Sequence, residues 1–189
     1  MTHAHFFGYG SLVDQRTHDY TPAQPAKATG WRRIWCATPE RDLCFLTAIR
    51  DEQASILGLV APVPGLDWTV LDERERAYER HDANDDIDHP GESTSVAIYS
   101  VAGHRRAAPT AKNPILLSYL DVVIHGYLTE FGPDGARHFF ETTQGWEAPI
   151  LNDRAKPIYS RAQKLSGETR ETVDAALRQL GSTIIFERP

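Results

Sequence analysis

Five extended runs fall in the first 101 residues of this chain, at 5–9, 28–37, 43–49, 56–63 and 95–101, and almost all the helical patterns come later. That order constrains the fold more than any other feature. The runs carry Trp, Ile, Leu and Val and are separated by turn signals. One helical pattern, 67–80, is inserted among them. Others follow at 115–128, 135–142 and 169–180, with Asn113-Pro114 and Gly132-Pro133 suited to helix starts because Pro fits the first turn. Strands first and helices after, without βαβ alternation, argue against a Rossmann arrangement and predict an α+β fold with a mostly antiparallel sheet or barrel.

A chain of 189 residues with 41% hydrophobic content suits a single domain spanning 1–189, helical from about 113. The net charge of −6 argues against a nucleic-acid partner, which needs a basic face. No apolar run approaches the roughly 18 residues of a membrane helix. The segment from Met1 to Phe7 lacks the basic region of a secretory signal. Cys36 and Cys44 lie in apolar surroundings and are expected as reduced core residues of a cytoplasmic protein.

Chemistry has two main candidates. Gly8-Tyr9-Gly10-Ser11-Leu12 follows the first run directly. Its glycines allow a tight turn whose N–H groups approach a ligand carboxylate, phosphate or oxyanion; the alternative is a plain strand-end turn. Val13 stands where the dinucleotide fingerprint needs a third Gly, and Tyr9 breaks a G-x-S-x-G elbow around Ser11. In the 67–80 helix, Trp68, Leu71, Glu75 and Tyr78 share one face, while the other acids there fall largely elsewhere. A carboxylate on an apolar stripe should have a raised pKa, as a general base or acid near neutral pH requires. The alternative is a Glu75 at the stripe's edge, reaching water or a structural arginine.

Weaker features surround these. The acidic stretch 81–89, tried as a calcium loop from Asp82, has Ile87 at the turn-glycine position and Ser93 at the bidentate-Glu position, and so reads as a solvated loop. His3 and His5 have no partner at zinc-ligand spacing. The charged loop 153–161 either packs on the surface or folds over a pocket and offers Arg154 or Arg161 to a carboxylate.

Taken in order, Tyr9-Gly10-Ser11-Leu12 after a strand, Gly30-Trp31, Gly58-Leu59-Val60 and Leu71-Asp72-x-x-Glu75 resemble the γ-glutamylcyclotransferase-like superfamily (AIG2/ChaC-type) from about Phe6 to Tyr78, and more loosely from Pro114 to Gly126. Arg74-Glu75 and Gly10-Ser11-Leu12 are similar to the ChaC-type enzymes that act on glutathione. The resemblance implies a small mixed, mostly antiparallel β-barrel with flanking helices. It implies a loop of Tyr9, Gly10, Ser11 and Leu12 that holds the γ-glutamyl group, a catalytic base at Glu75, and a pocket-lining tyrosine at Tyr119. The activity implied is cyclisation of a γ-glutamyl amino acid, amine or glutathione to 5-oxoproline with release of the amine, without metal or organic cofactor. Two other classes stay open: a non-catalytic binding protein for a small metabolite on the same fold, and a hydrolase using Ser11, Cys36 or Cys44.

Overall fold

The structure is a computed structural model that describes residues 4–90 and 95–188. His3 and Ser93, which figured in the zinc and calcium readings, lie outside the described residues. Strand β1 (His5–Gly8) lies at the centre of a mixed sheet, antiparallel to β3 (Arg41–Pro62) and parallel to β6 (Val96–Ser100). Strand β2 (Gln24–Thr38) pairs antiparallel with β3 and carries the short β5 (Ile87–Asp88) on its outer edge, while β4 (Glu79–Asp82) closes the other end against β6.

Along β2 burial alternates with the period of a strand, placing Trp31, Arg33 and Trp35 on the core side. The runs 43–49 and 56–63, expected as two strands, belong to the single strand β3. The polar stretch that separates them is a bulge rather than a turn. Thr29 faces Ser55 and Trp31 faces Arg50, so Gly30 stands opposite Asp51 to Ala54. Gly30 has φ +78, a left-handed conformation that glycine adopts without steric cost.

The sheet curls because its far strand returns to β3 through side chains. Ser100 Oγ donates to the Ala48 carbonyl (2.7 Å), and Thr47 Oγ1 accepts from Val101 N–H (2.8 Å). The Tyr9 phenol joins the same seam, donating to the Tyr99 carbonyl (2.6 Å) and accepting from Ala48 N–H (3.0 Å). The result is an α+β fold with a curled, mostly antiparallel half-barrel.

Helix α1 (Thr69–Arg74) is shorter than the 67–80 pattern predicts. Glu75 caps it at φ −100, ψ 24, and Tyr78 N–H turns back onto the Glu75 carbonyl (2.7 Å). The next residues are drawn into β4, where Arg80 pairs with Tyr99 of β6. A six-residue helix has little stability of its own, so the strand pairing prevails. The helix is held by Trp68 and Leu71, which pack with Phe6, Leu12 and Tyr99. Burying Leu71 completely contributes about 1.5–3 kcal/mol.

Strand β7 (Ile115–Leu116) leads directly into α2 (Leu117–Thr142), which combines the two predicted segments 115–128 and 135–142 across a kink at Gly132-Pro133. Leu120, Val123, Ile124 and Tyr127 of α2 cover one sheet face. The helix runs on into β8 (Thr143–Gln144), parallel to β2. Strand β9 (Ile150–Leu151) pairs parallel with β7 and with β10 (Ile184–Ile185), and α3 (Gly167–Gln179) packs on α2. Among the described residues no helix is long and apolar enough to cross a membrane.

Candidate active site

The loop after β1 and the end of α1 meet at the wall of a cavity of about 1030 Å³. Ser11, Glu75 and Tyr119 all line it. Glu75 keeps 16% of its side-chain surface exposed. Burial raises its pKa above the ordinary carboxylate value, and the nearby Arg74 and Arg161 guanidinium groups oppose that rise only in part.

Arg74 ties the acid to the loop. Its Nε stands 3.3 Å from Glu75 Oε1, and its side chain is 7% exposed. Nη1 donates to the Thr17 carbonyl (3.0 Å), and Nη2 donates to Thr17 Oγ1 (3.1 Å) and Ser11 Oγ (3.3 Å). Thr17 Oγ1 in turn donates to the Ser11 carbonyl (2.9 Å). One guanidinium therefore fixes both the carboxylate and the loop that faces it. Helical periodicity did not single out Arg74, and its position next to Glu75 was the available signal.

Gly10 lies beneath Tyr119. A Cβ at this position would stand 2.7 Å from the Tyr119 hydroxyl, so any side chain there must push that hydroxyl aside. Tyr119 is braced edge-on by Trp35 and Tyr159, with ring centroids at 5.9 and 5.0 Å. Tyr9 and Leu12 take other places. The Tyr9 phenol is used up in the barrel seam, and Leu12 packs into the cluster under α1. Their side chains belong to the scaffold, leaving Ser11 as the loop residue that lines the cavity.

Tyr78 lies beyond the helix yet still reaches the site, its hydroxyl donating to the Leu46 carbonyl (2.9 Å) on the cavity wall. The face predicted from helical spacing is thus assembled by a helix, its cap and a turn. Arg41, stacked 4.2 Å over the Phe45 ring, contributes a cation from β3. Loop 153–161 does border the cavity, through Ile158, Tyr159, Ser160 and Arg161. Arg154, offered as an alternative to Arg161, is elsewhere. Asp121 holds it with two bonds of 2.7 Å and Asp174 with a third. Asp153, buried, accepts from Ser118 N–H and Oγ and from Ile158 N–H, which pins the loop to the start of α2.

The hydrolase reading finds little support. Burial pushes the thiols of Cys36 and Cys44 up to about 11 and about 12, which leaves them protonated and poorly nucleophilic. The hydrogen-bond partner of Ser11 Oγ is a guanidinium, which is no base. Among the described residues no group of three or more His, Cys, Asp or Glu is placed to hold a metal ion.

No family profile matches the chain, and no curated protein sequence does. Solved structures do match. A γ-glutamyl cyclotransferase superposes with a TM-score of 0.57 at 15% identity, over 91% of this chain and 98% of its own. The chain has the γ-glutamyl cyclotransferase-like fold. YkqA from Bacillus subtilis matches with a TM-score of 0.59 at 17% identity, over 77% of this chain and 57% of its own. An uncharacterized protein from Homo sapiens matches with a TM-score of 0.57 at 14% identity, over 92% of this chain and 99% of its own. On this γ-glutamyl cyclotransferase-like scaffold, the cavity stands where the β1 loop, α1 and the start of α2 converge.

Proposed function

We propose that the chain is a γ-glutamyl cyclotransferase that converts the γ-glutamyl group of a small amide to 5-oxoproline, with Glu75 as its base. One observation carries the proposal: a largely buried carboxylate with a raised pKa shares a cavity wall with the Ser11 loop and Tyr119, on a fold like that of γ-glutamyl cyclotransferases.

The α-amine of the substrate is mostly protonated near neutral pH, so Glu75 takes a proton from it. The amine nitrogen attacks the γ-carbonyl carbon of the same molecule and closes the five-membered ring. The bond from that carbon to the leaving nitrogen breaks as the proton held by Glu75 passes to the departing amine, and Glu75 then takes the second proton from the ring nitrogen and releases it to the freed amine or to solvent, which leaves the lactam N–H and the carboxylate restored. Because the attack is intramolecular, holding the substrate in its folded conformation supplies much of the rate. The loop amides at Gly10 to Leu12 serve the α-carboxylate or the oxyanion. Arg74 keeps the base in register with that loop. Arg41 and Arg161 bring positive charge to the cavity that receives the leaving group, which favours γ-glutamyl amino acids and glutathione over γ-glutamyl amines. The two unpaired cysteines fit a reducing, cytoplasmic setting.

The test is direct. Purified protein is incubated with γ-glutamyl-alanine, glutathione and a γ-glutamyl-alkylamine, and 5-oxoproline is measured by mass spectrometry. Turnover of at least one is expected, falling about 10²-fold or more in Glu75→Gln. Substrate binding without any 5-oxoproline would replace this proposal with the non-catalytic binding protein.

A further inference from the structure

Six large apolar side chains stand exposed among the described residues, and two of them, Val70 (72%) and Ile158 (44%), line the cavity that holds Glu75. They come from separate parts of the chain, Val70 from α1 and Ile158 from the 153–161 loop. Exposed apolar residues scattered singly over a surface are ordinary, but two that converge on one cavity mark its wall as a place where an apolar group leaves water.

Both are held in place. The fully buried Leu71, next to Val70, anchors α1, and Asp67 Oδ1 accepts from Thr69 N–H (3.0 Å) at its start. Ile158 N–H donates to the buried Asp153 (2.8 Å) and Tyr159 N–H to Ser118 Oγ (3.4 Å), which ties the loop on either side of the Ile158 side chain. Phe45, Leu46 and Leu116 extend the apolar part of the same lining. The acids in that lining are already engaged, Glu40 with Arg105, Glu73 with Arg76 and Glu75 with Arg74. A cavity of about 1030 Å³ takes a drug-sized ligand, which is more than a γ-glutamyl group joined to alanine fills.

We infer that Val70 and Ile158 form a subsite for a large apolar side chain on the leaving residue, so that γ-glutamyl amino acids of the γ-glutamyl-leucine kind are the preferred substrates. The choice of a γ-glutamyl compound as ligand rests on the proposed cyclotransferase activity, to which the subsite adds a substrate class. The γ-glutamyl half must reach Glu75 and Ser11. Its γ-carbonyl carries the leaving nitrogen, so the leaving residue extends from there into the rest of the cavity. An apolar side chain on that residue removes its own surface and that of Val70 and Ile158 from water, and walls already fixed cost little to order.

Leucine and asparagine side chains have nearly the same shape and differ in polarity, so γ-glutamyl-leucine and γ-glutamyl-asparagine isolate apolar character from size. Affinity is measured by calorimetry on Glu75→Gln, in which the ligand persists, and 5-oxoproline formation is measured on the wild type. The leucine compound should bind about tenfold or more tightly, as burial of roughly two methylenes implies. Adding Val70→Asn and Ile158→Asn together should cut that ratio about fivefold or more. Phe186→Asn, at an exposed apolar residue outside the cavity, should leave it unchanged. Should the combined variant fold poorly, Val70→Asn and Ile158→Asn are tested singly, and each should cut the ratio about twofold or more. No binding of either compound, equal affinity for both, or an undiminished ratio in the folded variants would overturn the inference. The two readouts separate the subsite from the activity. Turnover of both compounds with equal affinity removes the subsite and leaves the cyclotransferase, whereas a leucine preference in binding without any 5-oxoproline supports the subsite and removes the cyclotransferase.

Discussion

Replacing Gly10 by Ala tests the packing of the candidate site at a single atom. The added methyl would stand 2.7 Å from the Tyr119 hydroxyl and 3.4 Å from Leu46 Cδ2, while the ring carbon behind the hydroxyl is 3.9 Å away. The hydroxyl must therefore retreat by about 0.7 Å to reach an ordinary contact of about 3.4 Å. Trp35 and Tyr159 brace the ring on two sides, but it also borders the cavity and can shift that way. Overpacking of this kind costs about 1–2 kcal/mol, the lower part of the usual range. For a chain of this size that is about 2–8 °C in Tm. Tyr119→Phe removes the obstructing oxygen and should change stability by about 1 kcal/mol or less. In Gly10→Ala/Tyr119→Phe the methyl finds the ring at 3.9 Å, so the double variant should be more stable than the sum of the singles by about 1 kcal/mol. Denaturant melts of the four proteins measure this coupling. Strict additivity would show that the hydroxyl does not fill the space over Gly10.

At neutral pH, Glu75→Gln should gain stability as it loses activity. The raised pKa means that the folded state holds the Glu75 proton more tightly than the unfolded chain, a stabilisation present in acid and lost as pH rises through the folded value. Thermal melts should therefore show the variant above wild type at pH 7, with the gap closing in acid. Turnover by the wild type should rise with pH through that same raised pKa. Arg161→Ala removes a cation that favours ionised Glu75, so this limb of the pH–rate profile should move to higher pH. Its preference for γ-glutamyl-alanine over a γ-glutamyl-alkylamine should also fall about tenfold. Arg154→Ala should leave that preference unchanged but lower stability by about 3 kcal/mol, read by urea melts, because it strands the buried Asp121.

Much of the fold was legible because its strands carry their own pattern. The apolar runs at 5–9, 28–37 and 95–101 depend on side chains alone, and the structure places a strand in each. The misjudged places are those where a distant partner decided the outcome. Arg50 to Gln53 carries turn chemistry, yet it stays within β3 as a bulge because Arg50 packs on Trp31 and pairs with Asp86, and Asp51 pairs with Arg32. Glu79 and Arg80 complete the 67–80 helical pattern, but β6 offers them strand partners 21 and 19 residues away. Neither partner can be read from local sequence.

The same distinction separates the legible from the hidden parts of the site. Glu75 stood out because its spacing with Trp68 and Leu71 puts it on the inner side of the helix, and it is largely buried even though the helix ends one residue before it. Its role depended on burial, which spacing does encode. Arg154 and Arg161 looked equivalent because charge count in a loop carries no direction. What separates them is Asp121, a buried acid on α2 that is 33 positions from Arg154 in sequence and takes two of its donors. Arg74 was hidden for a related reason: its four contacts lie on Ser11, Thr17 and Glu75, and the loop holding the first two is 57 or more positions away. The cation that fixes a carboxylate opposite a loop can be found only once the loop's distance from it is known, so sequence finds the proposed base sooner than the arginine that holds it.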